Sequence, residues 1–158
     1  MNEATFTVLD LDKFVPFRLW LLSARMTKAV GRIYAERFGV SAAEWRALAV
    51  LGRSGPMTFN ELQEGAAMDK VRVSRTITTL MQKSYINREV DPLDRRRITL
   101  ALTESGQAVY NAIVPHILSV EREILASLTP DERSTLGQLI SKLEDRMTAV
   151  APADSEES

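Results

Sequence analysis

The apolar residues of this chain recur at helical spacing almost from end to end, with one interruption. At Ile86-Asn87-Arg88-Glu89-Val90 and Ile98-Thr99-Leu100-Ala101-Leu102 the period drops to two. The seven residues between them, Asp91-Pro92-Leu93-Asp94-Arg95-Arg96-Arg97, begin with a turn-forming Asp-Pro and read as a charged hairpin loop. A single hairpin set among helices predicts a mainly α fold with a small β-hairpin. At 158 residues the chain has the size of one domain able to bury its own core. No internal repeat is visible, so residues 1–158 are expected to form a single domain.

The helices announce themselves through their ends. A first helical pattern covers residues 11–38, with regular helix starting near Pro16, which is accommodated only in a first turn, and stopping at Gly39. Ser41 and Glu44 have the spacing of a capping box for a second helix carrying Trp45, Leu48 and Leu51 and ending near Gly52. Gly55-Pro56 turns the chain, and Thr58 caps a short third helix to about Gly65. Asp69 caps a fourth helix reaching Ser84. At about 100° per residue, Ile77 and Leu80 fall beside Val73 as its buried stripe. Val71, Arg72, Arg75, Thr78, Thr79 and Gln82 fall on the outer face. After the hairpin, Thr103 and Gln107 frame a helix expected to run to Leu128 with a kink at Pro115. Thr129-Pro130-Asp131-Glu132 opens a last helix, and residues 151–158 form a small, acidic tail expected to be disordered.

Composition narrows the chemistry. The chain contains no cysteine, which excludes disulfides, thiolate metal sites, cysteine nucleophiles and thiol redox sensing. A single histidine, His116, leaves little material for a zinc site or a Ser-His-Asp triad. No phosphate loop, paired-carboxylate motif or nucleophile arrangement is present, so neither an enzyme nor a cofactor is expected. No apolar run approaches the length of a membrane span. The acidic first residues lack the basic start of an export signal and predict a cytoplasmic location. The net charge is −1, but residues 69–97 carry +4 and the remainder −5. A basic island in an acidic chain is the footprint of a localised polyanion site.

Helix, short helix, helix and then a hairpin with a basic tip is the layout of a winged helix-turn-helix. A helix in the major groove needs small, polar or cationic side chains on its outward face. A hairpin bearing arginines can reach the neighbouring minor groove, whose negative potential attracts guanidinium groups. The candidate DNA contacts are therefore Lys70, Arg72, Ser74, Arg75, Thr78 and Thr79 on the fourth helix, and the arginines Arg95, Arg96 and Arg97 on the wing. Thr58 has two readings: a phosphate ligand through its hydroxyl and the helix amides, or a plain cap. The rival to DNA binding is a winged-helix protein-interaction module that never touches a duplex.

The wing sequence Asp91-Pro92-Leu93-Asp94-Arg95-Arg96-Arg97, the strand after it, and Leu102-Thr103-Glu104-Ser105-Gly106 resemble the MarR family of bacterial transcription regulators. That family carries Asp-Pro-x-Asp-Arg-Arg, a strand, and then Leu-Thr-x-x-Gly. The resemblance is strongest over residues 62–106 and extends over about 11–148. It departs from the family at Ala67-Met68-Asp69-Lys70, where Gly-Val-Ser-Arg is usual. The resemblance implies a homodimer with a winged lobe at about 42–102 and dimerisation helices at about 11–38 and 103–148. It also implies that Arg95 and Arg96 enter the minor groove while Asp94 holds an arginine extended, with Arg97 in the same cluster. The expected partner is duplex DNA with an inverted repeat.

The same resemblance implies a small-molecule effector bound between the dimer helices and the lobe. Lacking cysteine, the chain is expected to be a ligand-responsive repressor, for an aromatic carboxylate or its coenzyme A thioester. Arg18, Trp20 and Arg46 are the candidate effector residues, guanidinium for a carboxylate and indole for stacking. The competing reading makes Trp20 and Trp45 core or dimer packing, and His116 a surface or interface residue.

Overall fold

The computed structural model describes residues 8–90 and 98–150. Six helices and one hairpin follow in the order α1 (Val15–Phe38), α2 (Ala42–Ser54), α3 (Phe59–Gly65), α4 (Lys70–Gln82), β1 (Ile86–Val90), β2 (Ile98–Leu102), α5 (Glu104–Leu125) and α6 (Pro130–Val150). The expected hairpin tip at residues 91–97 and the tail at 151–158 lie outside the described residues. Two compact units are present, residues 1–117 and 118–158. No described helix is long and apolar enough to cross a membrane.

In the first unit, side chains close the helix starts that the sequence marks. Pro16 lies in the first turn of α1, and Gly39 ends that helix in the left-handed region at φ +61°. At α2 the Ser41 hydroxyl accepts the Glu44 N–H (3.3 Å), and the Glu44 carboxylate accepts the Ser41 N–H (2.7 Å). Thr58 and Glu61 repeat this box at α3. Asp69 caps α4 by accepting the Arg72 N–H at 2.7 Å.

Three boundaries differ from expectation. Gly52 does not stop α2, which continues to Ser54. A Cβ at Gly52 would stand 2.8 Å from the Tyr110 ring, so this glycine makes room for a side chain of α5. Helix α4 ends at Gln82 because Ser84, at φ +58°, turns the chain into β1. Helix α5 carries Pro115 in its interior and ends at Leu125; the Leu128 N–H then bonds to the Leu125 carbonyl in a turn.

The turn between α3 and α4 puts Ala67 at φ +48°. A left-handed residue at this point is what glycine adopts without a Cβ clash, which gives the family's usual Gly a physical reason.

Strands β1 and β2 pair antiparallel from Ile86↔Leu102 to Val90↔Ile98. Met57, just before α3, bridges Leu100 through two backbone hydrogen bonds of 3.1 and 2.7 Å, tying the hairpin to the helix-turn-helix. Leu48, Leu62, Val73, Leu80 and Ile113 are fully buried at the centre of this unit. Each such side chain contributes on the order of 1.5–3 kcal/mol through burial.

In the second unit, α6 starts from a further capping pair. Thr129 accepts the Glu132 N–H, and Glu132 accepts the Thr129 N–H at 2.8 Å. Leu136, Leu139, Ile140, Leu143 and Met147 recur along this helix at three- and four-residue spacing, and all are exposed.

Candidate nucleic-acid interface

Helix α4 is held by one face and offers the other. Val73, Thr76, Ile77 and Leu80 are buried, whereas Lys70, Val71, Arg72, Ser74, Arg75 and Thr78 are exposed and Thr79 is half-buried. The sequence-predicted residues of α4 thus share one outward surface, with Thr79 at its margin. Lys70, Val71, Ser74 and Arg75, together with Phe59 from α3, line an open groove of about 600 Å³. Three cations stand on the first two turns of α4. The acid beside them, Asp69, has a carboxylate oxygen committed to the helix cap.

Hydrogen bonding decides what the hydroxyls can do. Thr78 Oγ1 donates to the Ser74 carbonyl (3.0 Å) and Thr79 Oγ1 to the Arg75 carbonyl (3.1 Å). Each threonine has one hydroxyl proton, so in this arrangement both can only accept from outside the helix. Thr58 Oγ1 donates to Glu61 Oε2 (2.8 Å) and accepts the Glu61 N–H (3.4 Å), so its hydroxyl serves the capping box. The wing candidates Asp94, Arg95, Arg96 and Arg97 lie outside the described residues.

The far end of α4 is clamped to the start of α2. Lys83 Nζ bonds to Glu44 Oε1 (2.5 Å) and to the Gly39 carbonyl (2.7 Å). Burial pushes the Glu44 carboxyl up, but the hydrogen bonds from Lys83 and Ser41 outweigh it and hold the group below its ordinary value.

The three effector candidates do not share a site. Trp20 is 63% exposed and lies against Phe17, with ring centroids 5.7 Å apart. Arg18 lines a small cavity with Leu11, Phe17, Leu21, Leu22 and Arg25. Arg46 instead lines a cavity of about 750 Å³ with Lys28, Tyr34, Trp45 and Arg72. Trp45 is sandwiched between Tyr34 (6.1 Å) and Tyr110 (5.8 Å), so it packs the core and also presents to the cavity. Burial pushes the Tyr34 hydroxyl up, with Arg46 opposing, so the phenol remains a neutral donor at neutral pH. Lys28, Tyr34 and Arg72 were not singled out for this cavity by sequence. They come from α1 and α4, and no local spacing links them.

The sequence profile of the MarR family matches residues 38–97, from the end of α1 through the wing. The crystal structure of a MarR/EmrR family transcriptional regulator from Acinetobacter sp. ADP1 superposes with a TM-score of 0.82 at 25% identity, covering 89% of this chain and 99% of that one. Over residues 38–97 the chain matches the MarR family. A relative, the homoprotocatechuate degradative operon repressor of Escherichia coli, is 29% identical over 113 residues, which is 70% of this chain and 75% of the repressor. The HTH-type transcriptional regulator YwaE of Bacillus subtilis is 28% identical over 93 residues, 59% of this chain; the match spans about half, 54%, of that protein's length. The matched stretch is the winged helix-turn-helix, with α4 as its recognition helix and β1–β2 as its wing.

Proposed function

We propose that this chain is a cytoplasmic, sequence-specific DNA-binding repressor of the MarR family that acts as a homodimer on an inverted repeat. The observation that carries the reading is the outward face of α4, where Lys70, Arg72 and Arg75 are exposed on a helix anchored by Val73, Ile77 and Leu80. Such a face supplies phosphate neutralisation and bidentate base contacts together. Lys70, Arg72, Ser74 and Arg75 make the direct contacts, Thr78 and Thr79 accept from base edges, and Thr58 acts as a cap. Arg95, Arg96 and Arg97 are assigned to the minor groove, with Asp94 holding an arginine extended. The apolar stripe of α6 and the exposed Leu19, Trp20 and Leu22 of α1 support a second copy of the chain as their cover.

The effector reading rests on the cavity beside Trp45. Lys28, Arg46 and Arg72 offer three cations, and the Tyr34–Trp45 pair offers aromatic walls. This chemistry suits a small aromatic carboxylate, or the acyl end of its coenzyme A thioester. The name of the E. coli relative, repressor of an operon degrading an aromatic acid, agrees with that class. Arg72 belongs both to this cavity and to the recognition helix, so an anion drawn to it competes with DNA.

Selection of bound duplexes from a random pool tests the proposal. The expected winners carry inverted half-sites about one helical turn apart, and an aromatic carboxylate weakens their binding. Failure to enrich any duplex would favour the protein-interaction module instead.

A further inference from the structure

Val71 is the second residue of α4, and it is 60% exposed while Val73, two residues on, is fully buried. Neither the core nor local preference explains it. Its side chain takes no part in the buried stripe, and valine is a mediocre helix former. Val71, Ser74, Arg75 and Thr78 stand at i, i+3, i+4 and i+7, so they form one stripe along the outward face. Val71 is the sole apolar side chain on that stripe, flanked by Lys70, Arg72 and Arg75. It lines the groove with Phe59, Lys70, Ser74 and Arg75. The neighbouring threonine hydroxyl protons are already bonded to helix carbonyls, so Val71 is not there to back a donor network.

Within the DNA-binding reading above, on which this rests, we infer that Val71 is a specificity-determining residue that packs on the 5-methyl group of a thymine in the major groove. The three flanking cations bring the negative duplex to this face and orient the apolar side chain towards base edges rather than phosphates. The methyl of thymine is the one apolar group that a base pair presents in that groove. Arg75 lies one turn further along α4. At about 1.5 Å of helix rise per residue, it reaches a base about two steps from the thymine. Each half-site is therefore expected to hold a thymine within about two base pairs of the position read by Arg75.

The test uses the full chain and the duplex it selects from a random pool, with each thymine replaced in turn by uracil, which removes only the methyl group. One symmetric thymine is expected to respond, with wild-type affinity falling about fourfold per half-site, the scale of one buried methyl. Val71→Ala is expected to bind the thymine duplex as weakly as wild type binds the uracil duplex, and to lose nothing more on uracil substitution. Alanine favours helix, and circular dichroism should show the variant folded. The inference is overturned if Val71→Ala discriminates thymine from uracil as wild type does, or if no thymine in the selected half-site responds. Loss of salt-dependent duplex binding by the wild type would overturn the DNA-binding reading itself, a result distinct from either of these.

Discussion

Gly106 has no room for a side chain. A Cβ there would stand 1.9 Å from the Tyr85 carbonyl oxygen, which is backbone and cannot swing away. Thr103, three residues earlier, accepts the Gly106 N–H (3.0 Å) and donates to the Ser84 carbonyl (2.6 Å), so the wing's return and the start of α5 are tied at one point. The Leu-Thr-x-x-Gly pattern thus has a steric cause. Gly106→Ala should cost about 3 kcal/mol or more by overpacking; urea unfolding checks this, and an unchanged midpoint would contradict it. Caps such as Ser41–Glu44 and Asp69 were legible because their partners lie three residues apart. The Lys83–Glu44 pair was not, because its members are separated by 39 residues. Glu44 titrates below its ordinary value in the folded chain, so its contribution is present above that ordinary value and is lost as pH falls through the lower, folded one. Lys83→Met should cost about 1–3 kcal/mol at neutral pH, between the cost of an exposed pair and that of a buried one. The acid loss should also shrink in that variant, because Glu44 keeps its burial but loses the cation that holds its carboxyl low, so folded and unfolded chains titrate closer together. Unfolding followed from neutral to acid pH measures both effects.

At the scale of elements, the recognition helix was the most readable part of the chain. Val73, Ile77 and Leu80 recur at the spacing of one helix face, and the structure buries all three. The end of α2 was misread at Gly52 because a glycine that admits the Tyr110 ring has the same local signature as a helix stop. The Met57–Leu100 bridge also escaped the sequence, since two backbone hydrogen bonds leave no side-chain pattern. Helix and wing are expected to fail differently when mutated. Arg75→Ala should cost about 1–3 kcal/mol and relax preference at one position per half-site if the arginine is bidentate to a base. Replacing Arg95 and Arg96 together by alanine should weaken all operators alike, because a minor-groove arginine reads width and potential. Asp94→Ala should produce a smaller loss of the same kind. Competition across operator variants separates these patterns, and wild-type affinity in the folded double variant would contradict the wing assignment.

For the whole molecule, what a single chain leaves uncovered is as informative as what it buries. Leu139 and Leu143 of α6 are about half exposed, as are Leu19 and Leu22 of α1. Helical spacing alone does not distinguish a face turned to the chain's own core from one turned to a second copy. The effector cavity was less legible still, because its cations come from three different helices. A homodimer covering the exposed faces should lack a stable monomer. Leu139→Glu is expected to disrupt assembly or folding, and sedimentation of a folded, DNA-competent monomer at micromolar concentration would contradict the architecture. The charge island at residues 69–97 gives the central claim its most direct test, the affinity of the full chain for its selected inverted repeat as salt is raised. If the dimer neutralises about 6–10 phosphates, binding should weaken by roughly 10³–10⁵ between 50 and 200 mM salt. Duplex binding that is indifferent to salt, or absent at low salt, would contradict it.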